Sequence, residues 1–342
     1  MNFISPLLAW YDASKRDFPW RRTSDPYAIW LSEIMLQQTR TSAVIPYYER
    51  FLAALPTVHD LAEVSDDVLL RLWQGLGYYS RARNLKRAAG QIVADFGGVF
   101  PGTYEKLLAL HGVGPYTAGA IASITFGQRV PAVDGNVLRV MARLQNNADD
   151  ITRPDVKARV TREMTAFMPE RAGAFNQAMM DLGATLCLPN GAPRCEVCPI
   201  LSHCLAFAAG TTRELPVRSP KKSRQVERHT VFVLQHDDSF VVQKRPSRGL
   251  LASLYQLPNT PGHLDQEAIT AWLTAFGARP VSDLAIYARE HVFTHIEWQL
   301  QVICCEVAPF SPAPGLWYDG CQSLPTAFAK CLLTPLLRPC YV

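Results

Sequence analysis

The stretch Leu107-Leu-Ala-Leu-His-Gly-Val-Gly-Pro-Tyr-Thr-Ala118 decides the fold of the first part of the chain. Its two glycines predict a tight turn between two helices, because glycine adopts backbone conformations that other residues resist. Pro115 suits the first position of the second helix, where its missing N–H is not needed. Such a turn directs backbone amides and a helix N-terminus at one point, which favours phosphate. We predict a helix-hairpin-helix at about residues 103–127 that contacts a DNA backbone through Gly112 and Gly114; a hairpin used only for packing is the alternative.

Four cysteines follow within eighteen residues, spaced Cys187-x7-Cys195-x2-Cys198-x5-Cys204. Thiolates at this density are typical of an iron–sulfur cluster, which four cysteines hold. A zinc site is the alternative, but it commonly uses two short Cys-x2-Cys pairs, and this segment has one. Disulfides would need an oxidising compartment, and the first residues do not resemble a secretory signal. The spacing therefore favours a [4Fe–4S] cluster in a loop at residues 187–204.

Length and composition indicate about two domains. A chain of 342 residues is long enough to bury two cores. No apolar run approaches the roughly 18 residues of a membrane span, so we expect a cytoplasmic protein with no membrane contact. Residues 1–225 contain 26 Lys and Arg against 20 Asp and Glu, whereas residues 226–342 contain 8 against 10. The basic first part is compatible with a nucleic-acid partner.

The character of the sequence changes near residue 210. Before that point, apolar positions follow helical spacing, as in the sets Leu31, Ile34, Met35, Gln38 and Val137, Val140, Met141, Leu144. Residues 211–228 are basic and punctuated by proline, which is typical of a linker. Later segments are rich in branched and aromatic residues and predict strands, with one helix near residues 265–276. We therefore predict an all-α domain at residues 1–210, a linker at 211–228 and an α+β domain at 229–342.

Two carboxylates of the first domain are candidates for catalysis. Glu33 is the lone acid of an apolar helical turn, where loss of hydration would raise its pKa and favour the protonated form that a general acid needs. A lone glutamate on a helix is also commonly a solvated surface residue, and the position alone leaves both open. Asp134 precedes a predicted helix, where aspartate is most often an N-cap. Its place after the hairpin favours a catalytic role, facing the sugar while the hairpin holds the phosphate.

A further candidate is the segment Arg71-Leu-Trp-Gln-Gly-Leu-Gly-Tyr-Tyr-Ser-Arg81. It places aromatic and apolar side chains on a glycine-flanked turn between basic residues, and a wedge of this kind enters a DNA base stack. Ordinary packing of aromatic residues in a core explains the pattern equally well.

Together these segments resemble the MutY-type adenine DNA glycosylases, which belong to the helix-hairpin-helix superfamily that includes endonuclease III. The resemblance covers essentially the whole chain and implies a helix-hairpin-helix glycosylase domain with an iron–sulfur loop, followed by a Nudix-like domain. One departure is the seven-residue gap after Cys187, where the commoner family pattern has six, so that the loop differs while the ligands stay the same. The motifs that carry the likeness are Pro19–Arg21, Ser32–Thr39, Gly75–Arg81, Gly112–Gly114, Val133–Val137 and the four cysteines.

The resemblance also implies a reaction and its residues. A monomeric, nucleoid-associated enzyme would remove adenine paired with 8-oxoguanine or guanine in double-stranded DNA. Glu33 would protonate the base, and Asp134 would stabilise the cationic sugar that remains. By resemblance, Tyr116 and Asn136 would position water and Asp134. The adenine pocket would be lined by Arg16, Arg21 and Leu36. The opposing strand would be contacted by Gln38, Thr39, Leu76 and Tyr78.

Tyr116 separates the enzymatic alternatives. Endonuclease III-like enzymes carry a lysine at this position that forms a Schiff base and then cuts the strand, which tyrosine cannot do. The residue therefore favours a monofunctional glycosylase over a bifunctional lyase. A catalytically silent iron–sulfur sensor that binds DNA is the third possibility, and it would be expected to lack Glu33 or Asp134.

The second domain resembles the Nudix-like reader of this family, and the glycine-rich segment Arg248–Leu251, followed by Leu254–Pro258, matches the entry segment of that reader. A working Nudix pyrophosphatase needs clustered glutamates to hold magnesium, but only Asp265 and Glu267 are acidic between residues 246 and 280. Recognition is therefore the expected role. The triplet Phe293-Thr294-His295 matches the family's Phe-Ser-His loop, which is associated with sensing 8-oxoguanine, with threonine in place of serine. The end of a strand with a satisfied histidine is the alternative.

Overall fold

The computed structural model describes residues 3–220 and 223–333, which form two compact units. The first unit contains residues 3–64 and 80–220, and the second contains residues 65–79 and 223–333. This division differs from the predicted boundaries in two places. The predicted linker belongs to the first unit as far as Pro220, and residues 65–79 group with the second unit. The predicted second domain also includes residues 334–342, which lie outside the described residues.

The first unit is built from helices, and its described residues contain no β-strand, as predicted. Several helices begin with proline in the first turn, where the ring fits without loss of a hydrogen bond. None of the helices in the described ranges is long and apolar enough to cross a bilayer. In chain order, with α5 (Asp66–Trp73) in the second unit, the helices are α1 (Ile4–Ser14), α2 (Pro26–Leu36), α3 (Thr41–Ala54), α4 (Val58–Glu63), α6 (Ser80–Phe96), α7 (Tyr104–Leu108), α8 (Pro115–Phe126), α9 (Gly135–Leu144), α10 (Pro154–Phe167), α11 (Ala172–Thr185) and α12 (Leu205–Ala208).

One core of the first unit lies where α11 packs against α1 and α9. Three aromatic rings, those of Phe3, Phe167 and Phe175, meet there with centroids 5.7–6.2 Å apart. Phe3 and Phe175 are fully buried, and each stabilises the fold by about 2 kcal/mol, whereas Phe167 is half-buried. The apolar set on α9 is buried, as its helical spacing predicted: Val137, Val140, Met141 and Leu144. This packing fixes the beginning of α9, the point that Asp134 precedes.

Helix α2 is apolar on nearly all sides and contacts α3, α6 and α8. The predicted helical set that ended at Gln38 is wrong at its last member, because α2 ends at Leu36. The Gln37 N–H closes a turn on the Ile34 carbonyl, at 3.4 Å, and Gln38 then adopts a left-handed backbone with φ +59°. Gln38 is consequently exposed beyond the helix end.

The second unit is an α+β domain with a seven-stranded sheet of order β3-β2-β1-β6-β5, in which β4 pairs with β1 and β7 with β2. Strands β1 and β6 are parallel, with Val231 opposite Val302. The strands are β1 (Gln225–His236), β2 (Ser239–Lys244), β3 (Tyr255–Gln256), β4 (Asn259–Pro261), β5 (Ala285–Val292), β6 (Ile296–Glu306) and β7 (Leu316–Trp317). This arrangement confirms the predicted fold class.

Both faces of the sheet are covered. On one face, α13 (Gln266–Phe276) stacks Trp272 on Phe232 with ring centroids 3.7 Å apart. On the other face, α14 (Thr326–Ala329) packs around Trp298. Helix α13 lies where the sequence predicted a helix, and Asp265 caps its first turn by accepting from the Ala268 N–H at 2.9 Å.

We predict that Asn176→Ala destabilises the first unit by about 3 kcal/mol. Asn176 is fully buried on α11, donates to the Ser123 hydroxyl and the Val130 carbonyl at 2.8 and 2.9 Å, and accepts from the Ala132 N–H at 3.0 Å. Alanine would leave these partners unsatisfied in the segment that leads to Asp134. Chemical denaturation followed by circular dichroism measures the loss. The matched control is Gln177→Ala on the same helix, which should cost less than about 1 kcal/mol, and equal losses in the two variants would contradict the account.

Candidate active site

The first element of the site is the carboxyl of Glu33, near the end of α2. The residue is only 7% exposed, so Glu33 is buried and is not the solvated surface residue that its sequence position also allowed. The Tyr116 hydroxyl donates to Glu33 Oε2 at 2.9 Å and lies 3.2 Å from the sulfur of Met180. Tyr116 is the second residue of α8, and the packing of α2 against α8 brings the two side chains together.

Burial raises the pKa of Glu33 to about 7. Loss of hydration is the largest cause and the charge of Asp134 adds to it, whereas the Tyr116 hydrogen bond and the charge of Arg21 act in the opposite direction. Burial also raises the pKa of Tyr116 well above its ordinary value, and the neighbouring Glu33 charge raises it further. Tyr116 therefore stays a donor, and Glu33 is a carboxyl that holds its proton near neutral pH.

Asp134 occupies the N-cap position of α9, which is the role that its sequence position alone favoured. Its Oδ1 accepts from the Val137 N–H at 2.8 Å, and its Oδ2 accepts from the Asn136 amide at 2.7 Å. Burial raises the pKa of Asp134, while these hydrogen bonds and the charge of Arg139 favour the ionised form. The cap holds a carboxylate in a fixed orientation, which is compatible with a second, chemical role.

Arg139 ties this cap to the cysteine loop, and the sequence analysis missed it. Its guanidinium donates to Asn136 Oδ1 at 2.9 Å and to the carbonyls of Cys187 and Gly183, both at 2.7 Å. At Gly183 a Cβ atom would lie 2.6 Å from the Asn136 Cβ, so the backbone must be glycine for this approach. The position of the Cys187 backbone therefore affects the orientation of Asn136. Because Asn136 donates to Asp134, it affects the orientation of Asp134 as well.

Asp181 is a second site residue that the sequence analysis missed. It is 1% exposed on α11, and it accepts from Arg21 Nη1 at 2.7 Å and from Arg16 Nε at 3.0 Å. This carboxylate draws together the two predicted pocket arginines, and the charge of Arg21 acts on Glu33. Leu36, the third predicted pocket residue, is half-buried at the end of α2. The signal was present, because Asp181 is a lone acid in an apolar helix just as Glu33 is.

The predicted hairpin is formed by α7, α8 and the turn between them. Gly112 has φ +73°, and a Cβ there would lie 2.6 Å from the Asn84 Cβ. Gly114 caps α8 in an ordinary extended conformation, and the space around its missing Cβ is open. The turn itself therefore requires Gly112, whereas Gly114 leaves room for something outside the protein. His111 is exposed on the turn.

The four cysteines follow α11 in a loop of short 3₁₀ turns, Cys195–Val197 and Leu201–His203. All four thiols are free and half-buried. Burial raises the pKa of Cys195, of Cys198 (to about 11) and of Cys204, and the charges of the neighbouring cysteines raise each of them further. Within residues 3–220 and 223–333, no three metal-binding side chains stand close enough together to hold a single ion.

The guanidinium of Arg143 contacts the first thiol of this loop. Its Nη1 lies 3.2 Å from Cys187 Sγ, and its Nε donates to the Leu215 carbonyl at 2.9 Å. Arg143 therefore attaches the segment after the cysteine loop to α9 and places positive charge beside the first thiol.

In the second unit, the predicted triplet forms the turn between β5 and β6. Phe293 packs edge-on against Trp298 with centroids 4.9 Å apart, whereas Thr294 and His295 are exposed. The Thr294 hydroxyl lies 2.9 Å from the hydroxyl of Tyr78, which has φ +48° and is 45% exposed. Leu76 is only 6% exposed, so Tyr78 is the more accessible of these two predicted contacts with the opposing strand.

Two protein families match the chain, one in its first half and one in its second half. Residues 31–165 match the HhH-GPD superfamily of base excision DNA repair proteins, and residues 229–333 match the NUDIX domain. The order of the two matches is the predicted order of domains.

Curated relatives match nearly the whole chain. The chain is 35% identical to the adenine DNA glycosylase of Mus musculus, with 96% of this chain and 76% of that protein covered. It is 30% identical to that of Buchnera aphidicola subsp. Baizongia pistaciae, with 96% and 95% covered. It is 37% identical to that of Arabidopsis thaliana, where 86% of this chain matches but only 56% of the plant protein is spanned.

Two solved structures of proteins that act on DNA resemble the helical part of the chain. A thermostable thymine-DNA glycosylase aligns with a TM-score of 0.56 at 29% identity, covering 60% of this chain and 95% of that one. A trapped endonuclease III–DNA covalent intermediate aligns with a TM-score of 0.52 at 22% identity, covering 60% and 94%. The second likeness is evidence for the fold alone.

Proposed function

This chain belongs to the adenine DNA glycosylase family, and on that premise we propose that it hydrolyses the N-glycosidic bond of adenine in double-stranded DNA. The observation that carries the proposal is the pair of carboxyl groups in the first unit. Glu33 is buried and has a pKa of about 7, and Asp134 is held as a helix cap. An acid that keeps its proton and a second, oriented carboxylate are what glycosidic cleavage requires.

In the proposed reaction, Glu33 donates its proton to N7 of the flipped-out adenine. The C1′–N9 bond breaks with both electrons going to the base, which leaves as neutral adenine. Asp134 in its ionised form stabilises the positive charge that develops on the sugar. Water then forms the new bond at C1′ and releases a proton. This proton replaces the one that Glu33 gave to the base. Tyr116 and Asn136 hold Glu33 and Asp134 in place, and Arg16, Arg21 and Leu36 line the adenine pocket.

The proposed enzyme releases the base without cutting the strand. An amine is needed to form the Schiff base from which strand cleavage follows, and a phenol cannot form one. Tyr116 also already donates its hydroxyl to Glu33 at 2.9 Å. This favours a monofunctional glycosylase over a bifunctional lyase, and the presence of both carboxyl groups disfavours a silent DNA-binding sensor.

We propose that the hairpin holds one phosphate of the DNA and that the enzyme acts as a monomer. The open space at Gly114 and the N-terminus of α8 suit an anion that approaches the backbone amides closely. Gln38 and Thr39, just past the end of α2, are then available to the strand opposite the adenine.

The cysteine loop fits a [4Fe–4S] cluster held by Cys187, Cys195, Cys198 and Cys204. The donor set consists of four thiols without disulfides, and Arg143 lies beside the first of them, where its charge would offset negative charge on the thiolates. A bound cluster would supply structure to the loop. Because Arg139 joins the Cys187 carbonyl to Asn136, an ordered loop would also steady the cap at Asp134.

We further propose that the second unit selects adenine opposite 8-oxoguanine. Thr294 and His295 lie exposed on the β5–β6 turn, and the Thr294 hydroxyl already has the Tyr78 hydroxyl as a partner. A hydroxyl can both donate and accept, so threonine retains the polar function of the serine it replaces. Metal-dependent hydrolysis is not the proposed role, because a Nudix pyrophosphatase needs clustered glutamates and Glu267 is the only glutamate between residues 246 and 280.

We expect Glu33→Gln and Asp134→Asn each to lower the single-turnover rate of adenine excision by about a thousandfold or more. The glutamine amide cannot deliver the proton, and asparagine has no charge to offset that of the sugar. Duplex affinity should stay within about threefold of the wild type, since both substitutions preserve volume. Glu63→Gln, on the exterior of α4, is the control. A near-normal rate in either variant, or strand cleavage without alkali by the wild type, would sink the mechanism.

We expect Cys198→Ser to abolish iron binding and to weaken duplex binding by at least about tenfold. The purified wild type should contain about four irons per chain and absorb broadly near 400 nm, whereas Cys321→Ser, an exposed cysteine outside the loop, should leave both unchanged. One zinc per chain and no colour in the active protein would overturn the cluster.

We expect Thr294→Ala and His295→Ala to reduce the preference for adenine opposite 8-oxoguanine over adenine opposite guanine by about tenfold. Excision opposite guanine should persist, because both catalytic carboxyl groups lie in the first unit. Thr270→Ala, on the exposed face of α13, is the control. If both variants kept the full preference, lesion reading would belong to other residues.

A further inference from the structure

Arg81, which neither the reaction nor the pocket uses, is buried at the beginning of α6 with 8% exposure. Its Nη1 donates toward three backbone carbonyls at the end of α2, those of Ile34 and Met35 at 2.8 Å and of Gln37 at 2.6 Å. Its Nη2 reaches the Thr39 hydroxyl at 3.3 Å. One guanidinium therefore holds the residues immediately before and after Gln38.

Gln38 is in a conformation that needs such support. Its φ of +59° is left-handed, which glycine adopts readily and glutamine rarely does. A residue held there relaxes unless the surrounding structure determines its backbone. The last carbonyls of a helix also carry partial negative charge, which a buried guanidinium offsets.

We propose that Arg81 is a positioning residue that holds Gln38 in its left-handed conformation before DNA binds, and thereby determines how well the strand opposite the adenine is recognised. The inference rests on the proposed function, in which Gln38 and Thr39 meet that strand. Arg81 acts on the opposing strand through the backbone of Gln38 and does not itself touch the reacting atoms.

The contacts of Arg81 predict an effect on duplex affinity rather than on the rate of adenine excision. The guanidinium contacts the last carbonyls of α2, whereas the Glu33 side chain is held by Tyr116. Losing the guanidinium should therefore weaken duplex affinity more than it slows excision by the saturated enzyme.

The test is a double-mutant cycle of Arg81→Met and Gln38→Gly in the full-length protein. Affinity is measured on a duplex carrying 8-oxoguanine opposite 2′-fluoro-2′-deoxyadenosine, whose glycosidic bond resists cleavage. With Gln38 present, Arg81→Met should weaken binding by about tenfold. In the Gln38→Gly background the same change should cost less than about threefold, because glycine adopts the left-handed conformation unaided and carries no side chain to be positioned.

Two further measurements keep the outcomes separate. Arg81→Lys retains an ammonium near the carbonyls but lacks the second nitrogen that reaches Thr39, so it should retain most of the affinity. If Arg81→Met does not fold, the neutral variant Arg81→Gln takes its place in the cycle. Single-turnover excision at saturating enzyme should fall less than affinity falls. Equal losses of affinity with Gln38 present and in the Gln38→Gly background, or a loss confined to the excision rate, would overturn the proposal. Failure of the wild type to excise adenine would instead count against the proposed function, since the binding cycle is read without catalysis.

Discussion

The structure depends on the removal of one carboxyl group from water. Glu33 sits on a helix that is apolar on nearly every side, and its Oε2 meets the hydroxyl of Tyr116 at 2.9 Å. Hydration is what normally keeps a glutamate ionised, so a buried glutamate with one neutral donor titrates near neutral pH.

The two carboxyl groups differ because their hydrogen bonds differ. Glu33 has a single phenol donor, whereas Asp134 receives a backbone N–H and a side-chain amide at the start of α9. A helix N-terminus stabilises negative charge, so the cap favours the ionised form of Asp134 against the effect of its burial. The same fold thereby gives one carboxyl group that titrates near neutral pH and one oriented carboxylate. Arg139 connects the second of these to the cysteine loop.

Local patterns in the sequence predicted much of this arrangement, and long-range pairing was harder to foresee. The hairpin, the stripe on α9 and the cap at Asp134 depend on neighbours a few residues apart. The contact between Glu33 and Tyr116 spans 83 residues, and no local rule fixes which helices pack together. Asp181 could have been found by applying the reasoning used for Glu33. Gln38 was predicted to be helical because it continues the helical spacing of Leu31, Ile34 and Met35. Residue spacing does not reveal that the backbone leaves the helix at Gln37.

The dependence of adenine excision on pH tests the central claim most directly. If protonated Glu33 is the acid, the single-turnover rate must fall as pH rises through about 7, the pKa to which burial raises this group. In Tyr116→Phe the falling limb should move to higher pH, because the lost hydrogen bond is the larger of the two interactions that lower the Glu33 pKa. A rate that stays level across neutral pH, or a limb that moves to lower pH in Tyr116→Phe, would contradict the account.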